Sequence, residues 1–308
     1  MKRTEIDLRD AYVLTWQGRY YLYGTEGFGA FTGTPRGFLC YVGDDLENWD
    51  GPYTVFPNDG RVWADTNYWA PEVYAIDGAF YLFAAWASKR ALAAAPEMGE
   101  GGAPESRQRL AVLRAADPLG LFEVLNADLG PGNDPTLYQE KGRYYLIHND
   151  GYTHMQAHLL AEDLSRFEGG AIPLFSREDA DVTWSVGGPT EGAETFVTPT
   201  GRLLVLWSSF CRGNAKNLAA MGFPGMDYGT AIAYADEGGI RGTFRQENRL
   251  ITPPNMGHVN LFTALDGTLM LATHWPDDNT NALGCSNPIF FPVRYDAKGD
   301  TLEVNYMR

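Results

Sequence analysis

Short apolar runs bounded by glycine and polar turns recur along the chain, and none continues with the 3.6-residue period of a long amphipathic helix. The clearest is Gly18-Arg19-Tyr20-Tyr21-Leu22-Tyr23-Gly24. It returns as Gly78-Ala79-Phe80-Tyr81-Leu82-Phe83-Ala84 and as Gly142-Arg143-Tyr144-Tyr145-Leu146-Ile147-His148, then more loosely from Gly201 and from Gly267. The glycines step by 60, 64, 59 and 66 residues, so five similar units fill nearly the whole chain. Each run has strand length and is apolar on both faces, as expected of a strand buried between two neighbouring sheets. An upstream strand candidate such as Tyr12-Val13-Leu14 or Glu72-Val73-Tyr74-Ala75-Ile76 joins it through a tight turn. Further candidates follow downstream, among them residues 37–42, 109–114, 155–160, 230–234 and 288–293. Roughly four strands per unit and no long helix predict an all-β, five-bladed β-propeller, a single domain over residues 1–308. Solenoid repeats are shorter, usually about 20 to 45 residues. The segments Ala91 to Ser106 and Arg212 to Tyr228 read as insertions, the second overhanging one face. Gly27 to Gly33 reads as a glycine-rich hairpin loop, because its spacing is wrong for a dinucleotide loop and no helical pattern follows.

Composition narrows the function. The chain is 44% apolar and 20% charged, as folded globular proteins are. Its net charge of −15, with no Lys/Arg-rich run, argues against a nucleic-acid partner. No apolar run is long enough to span a membrane, and Met1-Lys2-Arg3-Thr4-Glu5 leads into charged sequence without a signal-peptide core. The expectation is a cytoplasmic protein with no membrane partner. Cys40, Cys211 and Cys285 are far apart and odd in number, which speaks against a disulfide framework or a cysteine zinc site. The G-x-S-x-G, P-loop and H-E-x-x-H patterns do not occur.

Acidic residues recur near the first strand of successive units: Asp10, Glu72, Asp134 and Glu191, with His258 in the same phase of the fifth. Equivalent positions on the innermost strands of a propeller converge on its axis, so these side chains are expected at one mouth of the channel. Carboxylates gathered there raise one another's pKa. Glycosidases use that situation, keeping one carboxyl protonated as acid and another ionised to activate water or attack the sugar. A calcium cage is the competing use of the same cluster.

The strings Arg9-Asp10-Ala11-Tyr12-Val13, Trp69-Ala70-Pro71-Glu72-Val73, Asn133-Asp134-Pro135-Thr136-Leu137-Tyr138, Thr190-Glu191-Gly192-Ala193-Glu194 and Gly257-His258-Val259-Asn260 stand in an order that resembles family 43 glycoside hydrolases over nearly the full length. The resemblance implies a five-bladed propeller that hydrolyses α-L-arabinofuranosides, β-D-xylosides or arabinan with inversion. Residue by residue, it implies Asp10 as general base, Glu191 as general acid and Asp134 as the carboxylate that tunes and orients the acid. Glu194 is the alternative acid, but the family's acid directly precedes a glycine, which favours Glu191. His258 matches a histidine near a structural calcium ion in the central channel, where water supplies most of the ligands; a buried, hydrogen-bonded histidine is the alternative. No cofactor is implied for the chemistry itself.

Sugar rings need aromatic platforms beside polar groups. Trp69, Glu72 and Trp86 are the expected substrate contacts, with Tyr68 and Trp184 as further aromatic candidates. His154 and His158 are expected to be structural. Two departures bear on specificity: Ala11 stands where many members have proline, and no last-blade arginine can be matched, Arg294 lying deep in a strand pattern. The expected substrate is a short arabinofuranosyl or xylosyl oligosaccharide. Alternatives are another glycan activity of the same propeller clan, such as a fructoside or galactoside hydrolase, or a non-catalytic glycan-binding propeller. A glycoside phosphorylase is disfavoured because no anion site of Arg, Lys or His is evident beside the base. Oligomeric state is left open.

Overall fold

The computed structural model describes residues 1–27, 34–93, 107–215, 219, 224–276 and 286–306. Most of Gly27 to Gly33, residues 94–106 of the first insertion, part of the second, and Cys285 lie outside the described residues. The described chain forms five four-stranded antiparallel sheets, each in consecutive strand order. The first blade holds β1 (Leu8–Trp16), β2 (Arg19–Glu26), β3 (Gly37–Gly43) and β4 (Asp50–Pro57). The second holds β5 (Thr66–Ile76), β6 (Ala79–Ala87), β7 (Arg109–Ala115) and β8 (Glu123–Pro131), with a short helix α1 (Lys89–Ala93) after β6. The third comprises β9 (Asn133–Glu140), β10 (Arg143–Asn149), β11 (His154–Leu160) and β12 (Phe167–Ser176). Blade four is β13 (Ser185–Val197), β14 (Leu203–Arg212), β15 (Met226–Ala235) and β16 (Phe244–Gln246); blade five is β17 (Asn260–Thr263), β18 (Leu269–Trp275), β19 (Asn287–Asp296) and β20 (Thr301–Val304). The first strands β1, β5, β9, β13 and β17 neighbour one another in a closed ring, which makes the molecule a five-bladed β-propeller.

The two-faced apolar pattern of the second strands has a direct structural cause. Alternate side chains of a strand point to opposite faces, and here each face packs against a different blade. In β6, Leu82, Ala84 and Trp86 join the core with blade one, whereas Phe83 and Ala85 join the core with blade three. In β14, Leu203, Val205 and Trp207 face blade three, and Leu204 and Leu206 face blade five. The remaining core, between blades five and one, includes Leu8, Leu22, Trp49, Phe262 and Phe290. Among the described residues no strand is exchanged between first and last blades, and the ring is closed by side-by-side contacts. The Leu8 N–H donates to the Ser286 carbonyl (2.8 Å), and Asn287 Nδ2 donates to the carbonyls of Thr4 (3.1 Å) and Ile6 (2.7 Å).

The second insertion is shorter than the sequence suggested. Strands β14 and β15 run on in register through Phe210↔Tyr228, Cys211↔Asp227 and Arg212↔Met226, so Tyr228 belongs to a strand rather than to an overhang. Among the described residues no helix is long and apolar enough to cross a membrane.

Candidate active site

Each of the first four inner strands carries a β-bulge at the same place. The pairing jumps from Arg9↔Thr25 to Tyr12↔Tyr23, from Trp69↔Ala85 to Glu72↔Phe83, from Asn133↔Asn149 to Thr136↔Ile147, and from Glu191↔Ser208 to Glu194↔Leu206. Two inner residues thus oppose one partner, a device that re-aims side chains. The first bulged residue is left-handed in every case: Asp10 (φ 52°), Ala70 (45°), Asp134 (50°) and Gly192 (57°). His258, just ahead of β17, has the same conformation (φ 48°). Non-glycine residues adopt it at a cost, and such outliers gather where function requires them. Gly192 has a second reason to lack a side chain, since a Cβ there would stand 3.0 Å from His258 Cα and Cγ.

This register corrects the expected phase. Asp10, Asp134 and His258 are equivalent, and Glu191 stands one residue earlier. Glu72 stands two residues later, aligned with Tyr12, Thr136, Glu194 and Asn260 in a second, buried tier. Its carboxyl is taken by the Tyr74 hydroxyl, which also meets Thr136 Oγ1 at 3.0 Å and accepts the Leu137 N–H at 2.9 Å. Glu72 is therefore a channel residue and not a sugar contact. Trp86 is also corrected: it has no exposed surface, its Nε1 donates to the Ala127 carbonyl (3.0 Å), and it packs on Phe38, Phe56 and Tyr68. Tyr68 and Trp184 are buried too. Trp69 is half-buried and holds in blade two the position that Glu191 holds in blade four.

The upper tier brings together Asp10, Asp134, Glu191 and His258. His258 Nδ1 lies 3.3 Å from Asp10 Oδ1 and 3.6 Å from Asp134 Oδ2, placed to donate between them. Asp10 Oδ2 accepts the Thr25 hydroxyl (2.5 Å), and the Asp10 N–H donates to His274 Nδ1 (3.1 Å). Asp134 Oδ2 accepts the Gly192 N–H (3.2 Å), and Glu191 Oε1 accepts the Tyr228 hydroxyl (2.8 Å). Sequence reasoning missed His274 and Tyr228, because neither stands on an inner strand. It also missed a cluster of basic groups: Arg9, His258 and His274 all act on Asp10.

The carboxyls are driven apart electrostatically. Burial works to raise Asp10, but His258, His274, Arg9 and the Thr25 hydroxyl outweigh it, and its pKa ends below the ordinary 3.8. Glu191 is pushed up to about 8, first by burial and then by Asp134, against the Tyr228 hydrogen bond. Asp134 rises to about 8, through burial and the Asp10 charge. Glu194 is raised to about 7 by burial, yet Asn260 Nδ2 (2.8 Å), the Leu261 N–H (2.8 Å) and the Thr195 N–H (2.6 Å) all donate to it. A carboxyl so fully engaged with the next blade is built as a strut.

Among the described residues, protein side chains alone make no calcium cage around His258, so an ion there would take most of its ligands from water. Calcium takes six to eight oxygen ligands, and among the described residues no three His, Cys, Asp or Glu side chains converge closely enough to hold a metal. The His258 nitrogen that faces the site is turned to two carboxylates. His154 pairs with Asp150 at the surface (2.8 Å), and His158 shares a hydrogen bond with His148 (3.0 Å) beneath Phe167, so both are structural.

Solved structures share this architecture from end to end. An endo-arabinase from Bacteroides thetaiotaomicron VPI-5482 superposes with a TM-score of 0.75 at 24% identity, over 96% of this chain and 98% of that one. An endo-1,4-β-xylanase from the same organism gives 0.72 at 19% identity, over 98% and 95%. An α-L-arabinofuranosidase from Lactobacillus brevis gives 0.69 at 14% identity, over 100% and 98%. No curated protein matches the chain in sequence. The sequence model of glycosyl hydrolases family 43 matches residues 4–282, so the chain belongs to that family and is a glycosidase, an enzyme that hydrolyses O-glycosyl bonds.

Proposed function

We propose that this glycosidase cleaves α-L-arabinofuranosides or β-D-xylosides in short oligosaccharides, with inversion at the anomeric carbon. The observation that carries the mechanism is the meeting of Asp10, Asp134 and Glu191 in one mouth, with His258 and Thr25 on Asp10 and, among the described residues, only the Tyr228 hydroxyl donating to Glu191, an arrangement that lowers the pKa of the first and raises that of the last. Glu191 passes its proton to the glycosidic oxygen as the bond to the anomeric carbon breaks. Water adds to that carbon from the opposite face and releases a proton to Asp10. Asp134 and Glu191 titrate as a buried pair, so that ionising Asp134 makes Glu191 hold its proton more firmly until the leaving group takes it. His258 and Thr25 fix the Asp10 carboxylate.

Two further residues suit the sugar. Trp69 offers an apolar face at the level of Glu191. Asn133 holds the same level in blade three, and its buried Oδ1 has no hydrogen-bond partner among the described residues, which a sugar hydroxyl would supply. The sugar preference is supported by the order of the motifs and by likeness to structures named as an endo-arabinase, a xylanase and an arabinofuranosidase.

The test is hydrolysis of a panel of aryl glycosides and of arabino-, xylo- and galacto-oligosaccharides, with product anomers followed by NMR. Cleavage of an arabinofuranoside or xyloside with inversion, reduced about 100- to 10,000-fold in Asp10→Asn and in Glu191→Gln, is the expected result. Retention of configuration would overturn the mechanism, and turnover of galactosides alone the sugar. Because Arg9, His258 and His274 surround Asp10, the panel is repeated with added phosphate; faster cleavage yielding sugar phosphates would replace hydrolysis by phosphorolysis.

A further inference from the structure

Tyr228 is not an inner-strand residue, yet its hydroxyl reaches the acid. It stands on β15, is 3% exposed, and donates to Glu191 Oε1 at 2.8 Å. The ring is set from three sides. His274 stacks on it (centroids 6.3 Å, planes 28° apart), Phe210 meets it edge-on (6.4 Å, 73°), and the bare backbone of Gly257 lies against it, where a Cβ would come within 2.3 Å. The same His274 accepts the N–H of Asp10 through Nδ1. One stacked pair of rings thus touches the acid at one end and the backbone of the base at the other, joining β15, β18 and β1.

We propose that Tyr228 is a positioning residue for the acid: by donating to Oε1 of Glu191 it reserves Oε2 for the transferable proton and holds the carboxylate left after transfer. The inference rests on Glu191 being the acid. A protonated carboxyl accepts hydrogen bonds best at its carbonyl oxygen, so a donor fixed at Oε1 puts the O–H on Oε2. When that proton moves to the glycosidic oxygen, the acceptor at Oε1 becomes anionic and the Tyr228 bond strengthens. An interaction stronger in the transition state than in the ground state raises kcat rather than lowering KM.

The groups that bear on Glu191 are Asp134 from β9, Asp10 from β1, His258 ahead of β17 and Tyr228 itself. Beside Tyr228 stand His274 and Asp227, the latter accepting the Tyr228 backbone N–H (2.8 Å). Of these, Tyr228 lowers the Glu191 pKa by its hydrogen bond. Its removal therefore raises that pKa and leaves Glu191 protonated to higher pH.

The experiment compares wild type, Tyr228→Phe and Gly257→Ala in the full chain, using aryl glycosides of the sugar that wild type cleaves, from 2,4-dinitrophenyl to unactivated alkyl leaving groups. In Tyr228→Phe, kcat is expected to fall roughly 10- to 100-fold for unactivated leaving groups and far less for the dinitrophenyl glycoside, which needs no proton, with KM little changed. The alkaline limb of the rate profile should move up by about one pH unit. Gly257→Ala, which pushes the ring aside, should reproduce the same selectivity, and it stands in if Tyr228→Phe does not fold. Equal losses for all leaving groups, or no loss, would overturn the proposal. A second measurement needs no turnover: the infrared carboxyl band of Glu191, identified by its absence in Glu191→Gln, is titrated in wild type and Tyr228→Phe. An unmoved titration overturns the role of Tyr228. An upward shift in a protein that cleaves nothing upholds the Tyr228 contact and sinks the assignment of Glu191 as acid.

Discussion

At the scale of single residues, the site is organised by how far basic groups and donors offset burial at each carboxyl. Asp10 has two imidazoles, Arg9 and a hydroxyl acting on it, which bring its pKa below the ordinary value despite burial; Glu191 has Asp134 beside it and one tyrosine donor, and burial and that carboxyl push its pKa up. The proposed mechanism requires Asp10 deprotonated and Glu191 protonated. The profile of kcat/KM should therefore fall on the alkaline side as pH rises through about 8, and on the acid side only below the ordinary 3.8 of an aspartate. An alkaline limb near the ordinary 4.5 of a glutamate would show that the burial of Glu191 does not tune it. Asn133→Ala is expected to raise KM roughly 10-fold with a smaller change in kcat, since it removes a partner for a hydroxyl rather than a reacting group. A fall in kcat with KM unchanged would place Asn133 in the chemistry instead.

Elements decide where those residues point. The bulge in the inner strands turns one left-handed residue per blade toward the mouth and sends the residue two positions on into the channel. This is why Glu72, acidic and at the expected spacing, does not join the catalytic tier, while Ala70 holds that place in blade two. The second strands do the packing. Trp86 on β6 is enclosed by Phe38, Phe56 and Tyr68, so Trp86→Ala should cost about 3 to 5 kcal/mol in a urea melt. The folded fraction of that variant should keep a wild-type KM. A raised KM at unchanged stability would return Trp86 to the sugar site.

For the whole molecule, burying carboxyls about the axis ties stability to pH. Glu72, Asp134, Glu191 and Glu194 all have raised pKa values in the fold, with burial as the leading cause in each. Unfolded, they ionise near 4; folded, Glu194 holds its proton to about 7 and Asp134 and Glu191 to about 8. The folded state then binds more protons in this window, and stability falls as pH rises through it. His148 acts in the opposite direction. Burial lowers it to about 4 and lowers the partly buried His158 too, so the unfolded chain takes up protons below the ordinary 6.5 that the folded chain refuses, and stability falls as pH drops. Four carboxyls outweigh two imidazoles, and the net charge of −15 adds repulsion. The melting temperature is expected to decline between about pH 5 and pH 9, and Glu72→Gln to flatten that decline. A melting temperature that rises over the same range would mean that the channel carboxyls ionise freely.

The sequence by itself determined the number of blades, the strand content and the identity of three channel-mouth carboxyls with their histidine. Repeat length, glycine-led apolar runs and acidic residues near each inner strand are local properties that a linear reading captures. It could not separate Glu72 from Asp10, because a two-against-one bulge shifts a residue between tiers without changing its spacing. It favoured Trp69 over Trp86 from the neighbouring channel motif but could not exclude Trp86, since only the structure shows that both faces of β6 are core. Tyr228 and His274 became visible only in three dimensions. They belong to β15 and β18, and only the closing of five sheets round one axis, together with the in-register extension of β14 and β15, carries them to Glu191 and Asp10.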